Sequence, residues 1–163
     1  LVQMEIPLEA VEATLRLGHR LGKPVILNPA PAQPLPIEWL KLARYLTPNQ
    51  HELAILLAAN TDEDFHALMQ RSPAPIVLTR GAEGAWFRDG GEPVHQPGFK
   101  VDVVDSTGAG DTFNAALAVF LQEGLPTAVR KACAAAALSV SKLGAQGGMP
   151  RLDELEAWLA RQG

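Results

Sequence analysis

The sequence predicts an α/β protein, a three-layer α/β/α arrangement around a mainly parallel central sheet. Three observations lead to it. Short continuous apolar runs recur along the chain, some fenced by proline, as strands buried on both faces do. Segments with apolar residues at helical spacing alternate with those runs, the order that strand–helix crossovers produce. The 163 residues are 47% hydrophobic and 20% charged, which suits an ordinary globular domain with chain enough for a real core.

The elements follow in order. Leu1-Val2-Gln3-Met4 reads as the end of an apolar strand already under way, so the chain is expected to start mid-domain. Leu8, Val11, Leu15, Gly18 and Leu21 keep helical spacing, and Gly22 serves as a stop signal. Pro24-Val25-Ile26-Leu27-Asn28 is the first buried strand, and the proline-rich loop 29–36 leads into a helix over 37–44. Tyr45-Leu46-Thr47 is a second strand, followed by helices over 50–58 and 62–70, the latter capped by Thr61. Ile76-Val77-Leu78-Thr79 is a third. Ala85-Trp86-Phe87-Arg88 and Val94-His95-Gln96 flank the turn Asp89-Gly90-Gly91 and predict a hairpin. One more strand is expected at Val101-Asp102-Val103-Val104-Asp105. Helices over 112–123, 127–143 and 152–161 close the chain, with 144–150 as a break.

Composition excludes several classes. Net charge is −4 and the basic residues are scattered, so no nucleic-acid or polybasic membrane surface is expected. Cys133 is the single cysteine, which rules out an internal disulfide and fits a reducing compartment. No apolar stretch is long enough to span a bilayer and no secretory leader is visible, so a cytoplasmic location is the expectation. The four histidines lack metal-ligand spacing.

The run Asp105-Ser106-Thr107-Gly108-Ala109-Gly110-Asp111-Thr112 carries the chemistry. Small residues there let a ligand approach the backbone, and free N–H groups at a helix start attract anionic oxygen. Asp111 in such a place suits a base that takes a proton from an attacking hydroxyl while the amides of Gly108, Ala109 and Gly110 stabilise a transferred phosphoryl group. An N-terminal helix acid behind a glycine turn is the plain alternative, and spacing alone leaves the two open. Neither a Gly-x4-Gly-Lys-Ser/Thr loop nor a Gly-x-Gly-x-x-Gly fingerprint is present, which disfavours a dinucleotide-dependent dehydrogenase.

Residues 105–118, Asp-Ser-Thr-Gly-Ala-Gly-Asp-Thr-Phe-Asn-Ala-Ala-Leu-Ala, resemble the C-terminal signature of the ribokinase-like (PfkB) carbohydrate kinases. Thr47-Pro48-Asn49-Gln50-His51-Glu52 resembles the family's Asn-x-x-Glu motif, and Leu78-Thr79-Arg80-Gly81-Ala82-Glu83-Gly84 its nucleotide-contacting segment. Within the family the likeness is closest to the members that phosphorylate D-ribose. It rests on Leu27-Asn28-Pro29-Ala30-Pro31-Ala32, on Leu143-Gly144-Ala145-Gln146, and on Glu5, which matches a glutamate near the sugar. The resemblance implies the C-terminal catalytic portion, residues 1–163, of one kinase domain, whose N-terminal part and lid lie outside this sequence.

It also implies roles. Asp111 is the base, next to the sugar together with Glu5, and Gly108, Ala109 and Gly110 form the anion hole. Asn49, Thr79, Arg80, Gly81, Ala82, Glu83, Gly84, Gly110, Asp111 and Cys133 contact ATP. Asn49 and Glu52 otherwise read as a helix-capping pair, and Cys133 as a small buried side chain on an alanine-rich helix. Glu52 organises Mg²⁺ through water. A monovalent cation, K⁺, falls to Asp105, Thr107, Ser139, Lys142, Gly144 and Gly148; the family commonly has serine where Gly148 stands. The implied partners are a small sugar and ATP, with a homodimer formed through the lid. The implied reaction gives ribose 5-phosphate and ADP. Kinases of fructose, a sugar acid or a nucleoside, and a non-catalytic nucleotide-binding fragment, are the alternatives.

Overall fold

The computed structural model describes residues 1–162. Its chain divides into two compact units, one of Leu1–Arg80 and Trp86–His95, the other of Gly81–Ala85 and the chain from Gln96 onward.

In the first unit, α1 (Leu8–Arg20) turns Val11, Leu15 and Gly18 inward. Gly18 has no room for a side chain, since a Cβ there would lie 2.2 Å from the Val25 methyl. Three short parallel strands follow: β1 (Ile26–Leu27), β2 (Tyr45–Leu46) and β3 (Ile76–Thr79). Val2 joins them by an isolated parallel bridge to Leu27, and the rest of the strand end expected over 1–4 forms no strand. Between the strands lie α2 (Ile37–Leu40), α3 (Gln50–Leu56) and α4 (Phe65–Arg71). Helix α4 is capped by the Asp64 carboxylate, which accepts the Ala67 N–H at 3.1 Å, so Thr61 is not the cap: the carboxylate sits directly before the first helical residue. Helices α2 and α3 stop short of residues 44 and 58; Arg44 N–H bonds to the Val25 carbonyl instead, and Ala58 turns to φ +50°.

The sheet order is β1-β2-β3-β4-β5, with β4 at Gly84–Arg88 and β5 at Val94–Pro97. The β3–β4 and β4–β5 connections are far too short for a parallel crossover, so both pairs run antiparallel and the sheet is mixed. The core of this unit is aliphatic and dense: Leu15, Leu27, Leu40, Leu46, Leu53, Leu68, Met69, Ile76 and Leu78 are fully buried. Arg44 grips Asp89 with both guanidinium nitrogens, and Tyr45 donates its hydroxyl to the same carboxylate at 3.1 Å. Trp86 stacks on His95, ring centres 4.4 Å apart and planes within 13°, with His66 edge-on to its indole at 4.6 Å.

In the second unit α5 (Ala109–Phe120) packs on α6 (Leu125–Val140), and α6 also meets α7 (Ala145–Gly148) and α8 (Leu152–Leu159). The alanines of α6 let α5 approach closely with Phe113, Leu117 and Phe120 buried. Helix α5 starts at Ala109, three residues before the expected position, because Gly108 adopts φ +77° and turns the chain into the helix. The expected break at 144–150 contains the single turn α7. No strand forms at 101–105. There the N–H groups of Val104 and Asp105 both bond to the Val140 carbonyl, and Val103 and Val104 are 68% and 60% exposed. The pattern is β-like, but its donors are directed to a helix end.

Candidate active site

The parallel strands of the first unit run in one direction and deliver polar residues at their carboxyl ends, where ligands of open α/β sheets gather. Asn28 follows β1 and donates to the Thr47 carbonyl at 2.9 Å. Asn49 follows β2 and bridges to Thr79 at the end of β3. The Asn49 Oδ1 accepts the Glu52 N–H, and Glu52 Oε2 accepts the Asn49 N–H, both at 2.8 Å. The helix-capping reading of this pair is therefore formed. Burial pushes the Glu52 carboxyl above its usual range, the Asn49 bond opposing it. A carboxylate desolvated in this way gains from a nearby cation, so Glu52 suits a water-bound Mg²⁺.

Arg80 caps β3. Its guanidinium donates to Gln50 Oε1 at 2.7 Å and lies 4.2 Å above the Phe65 ring. Glu5 is exposed beside Met4, whose N–H bonds to the Ala30 carbonyl.

The second unit holds the remaining expected residues. Gly81, Ala82 and Glu83 form one exposed 3₁₀ turn. Gly84 ends it at φ +96°, where a Cβ would lie 2.2 Å from the Gln96 carbonyl oxygen. Only glycine fits there, so the turn is fixed against residues 96–98.

The structure brings the 105–111 and 139–148 segments together. Asp105 accepts from the Thr107 hydroxyl at 2.7 Å, the Thr107 N–H at 2.9 Å and the Gly144 N–H at 2.9 Å. Those donors, the Thr107 hydroxyl foremost, hold its carboxyl below the ordinary range. Gly108 faces Ala145, 2.9 Å from a Cβ placed on the glycine. Gly110 and Asp111 are exposed in the first turn of α5, and a Cβ on Gly110 would meet nothing within 4 Å. Free N–H groups at such a helix start are able to meet an anionic oxygen.

Ser139 is buried and its carbonyl accepts the Lys142 N–H; the Lys142 ammonium pairs with Glu154. A Cβ at Gly148 would come within 2.5 Å of the Ser139 oxygen, so glycine and not serine fits the packing of this chain. Carbonyl-rich loops tied to an ionised Asp105 are a donor set that suits K⁺. Cys133 lies buried in α6, 6% exposed, and burial pushes its thiol up to about 12.

Reading the sequence missed Gln50, Phe65 and Asn114. Gln50 stands inside the Asn-x-x-Glu motif and could have been suspected, and an asparagine in mid-helix is itself a signal. Nothing in the sequence ties Phe65 to Arg80.

Residues 1–152 match the pfkB family of carbohydrate kinases. The chain is 48% identical over 162 residues to the ribokinase of Bacillus subtilis, covering 98% of this chain and 54% of that one. It is 33% identical to the deoxyribokinase of Salmonella typhi, covering 98% and 55%. Among solved structures, Arabidopsis thaliana ribokinase complexed with ribose and ATP superposes with a TM-score of 0.89 at 32% identity, covering 96% and 54%. The ribokinase of Thermotoga maritima gives 0.85 at 36%, covering 97% and 55%. The chain thus spans about half the length of the relatives it matches, and over that span the fold is the ribokinase-like α/β fold. It belongs to the pfkB family of carbohydrate kinases.

Proposed function

We propose that this chain carries the phosphoryl-transfer end of an ATP-dependent kinase that phosphorylates the 5-hydroxyl of D-ribose, giving ribose 5-phosphate and ADP. The observation that carries the reading is the entrance to α5, where small residues and an exposed Asp111 occupy the first turn beside the Asp105–Gly144 tie.

Asp111 takes the proton of the sugar's primary hydroxyl as that oxygen attacks the γ-phosphorus, and the bond to the ADP oxygen breaks. The amides of Gly108, Ala109 and Gly110 face the charge that develops on the phosphoryl oxygens. Asn49, the segment Thr79, Arg80, Gly81, Ala82, Glu83 and Gly84, and Cys133 are the nucleotide contacts. Glu5 serves the sugar. Mg²⁺ held through water at Glu52 would neutralise phosphate charge. K⁺ held by Asp105, Thr107, Ser139, Lys142, Gly144 and Gly148 would add positive potential to the anion hole. A cytoplasmic homodimer is the assembly proposed. Among the described residues no helix is long and apolar enough to cross a membrane.

The test is ATP consumption against ribose, deoxyribose, fructose and nucleosides, in K⁺ and in a large organic cation. Ribose should give the highest kcat/KM and K⁺ should stimulate. Preference for another acceptor shifts the assignment within the family. The other reading is a non-catalytic nucleotide-binding fragment, which would bind ATP and consume none.

A further inference from the structure

Asn114 lies on α5 one turn beyond the proposed anion hole, 2% exposed. Its Nδ2 donates to the Gly110 carbonyl at 2.9 Å. Its Oδ1 is buried without a hydrogen-bond partner among the described residues. Asparagine disfavours helix interiors, and a buried carbonyl lacking a donor opposes folding. A leucine would fill the space without that cost, so packing alone does not account for the residue.

The bond it makes does. The Gly110 carbonyl belongs to the peptide group whose N–H is that of Asp111, and a peptide group is planar. Holding the oxygen therefore fixes the direction of the Asp111 N–H and of the N–Cα bond that leads to the Asp111 side chain. Gly110 is the second residue of α5, so its carbonyl already belongs to the helix's own hydrogen-bond ladder, and the Asn114 side chain adds a second hold on it. Glycine has the widest backbone freedom of any residue, so a second hold at this position restricts the turn most.

We propose that Asn114 is a positioning residue for the transfer step, its carboxamide clamping the Gly110–Asp111 peptide so that the base and the hole present one geometry. The proposal rests on the reading of Asp111 as the base. It makes the donor, not the volume, of residue 114 the property that matters.

Asn114→Ser and Asn114→Ala separate the two. They leave nearly the same space, but a serine in a helix can donate back to the carbonyl four residues earlier and alanine cannot. In turnover with ATP and ribose, the alanine variant should lose about 10- to 100-fold in kcat with KM values within about threefold, and serine should restore most of it. Equal kcat in the two variants overturns the proposal. Asp111→Asn is measured alongside. If it is inactive while the alanine and serine variants match each other, the clamp fails and the base reading stands. If Asp111→Asn is active, both fail.

Discussion

The Asp105 carboxylate accepts the backbone N–H of Gly144 at 2.9 Å, joining two loops 39 residues apart in the chain. Asp105 titrates below the ordinary carboxylate range, so this tie is complete above that range and loosens as pH falls through the depressed value. In Asp105→Asn the amide can turn its NH₂ toward Gly144 and lose the acceptor. Exchange of the Gly144 amide should rise by about tenfold at neutral pH, and parent and variant should converge in acid.

Asp111→Asn tests the base directly. The amide keeps the shape of the carboxylate and cannot take a proton. Turnover should fall by about 10²- to 10⁴-fold, while ATP affinity by calorimetry changes by less than about threefold.

The Asn49–Glu52 capping box allows folding and metal roles to be separated. Asn49→Ala removes the acceptor for the Glu52 N–H and should cost about 1 kcal/mol in a denaturant titration. Glu52→Gln keeps a capping side chain and removes only the charge. Because burial raises the Glu52 carboxyl, the folded state holds its proton more tightly than the unfolded state, so this group's contribution to stability improves as pH drops toward the raised value. Glu52→Gln should therefore melt no lower than the parent at neutral pH while needing about tenfold more Mg²⁺ for half-maximal activity. A large drop in melting temperature would show that the carboxylate serves the fold.

Gly84→Ala places a Cβ 2.2 Å from the Gln96 oxygen in a backbone that side chains avoid. Unfolding free energy should fall by about 1–3 kcal/mol from backbone strain alone. Gly81→Ala, at φ +53° with nothing within 4 Å, should fall at the lower end of that range.

Much of this was legible in the sequence. The third strand stands where its apolar run lies, and the hairpin forms around Asp89-Gly90-Gly91, because period and turn chemistry are local properties. The strand expected at 101–105 was not legible, since Val103 and Val104 have β-forming side chains and no ladder for their backbone. The start of α5 was misplaced because a positive φ at Gly108 cannot be read from a Gly-Ala-Gly string. Within the site, the motif located Asp105 and Asp111. The Gly144 tie, the Arg80–Phe65 stack and the Asn114 clamp depend on contacts the chain makes only when folded.

The stack of Trp86 on His95 has a practical side. A histidine ring stacked on an indole face drains its excited state, so Trp86, one of three tryptophans, should brighten when the two rings part. The β4–β5 hairpin thus carries an intrinsic optical label. Its emission could be followed in real time without dye or tag.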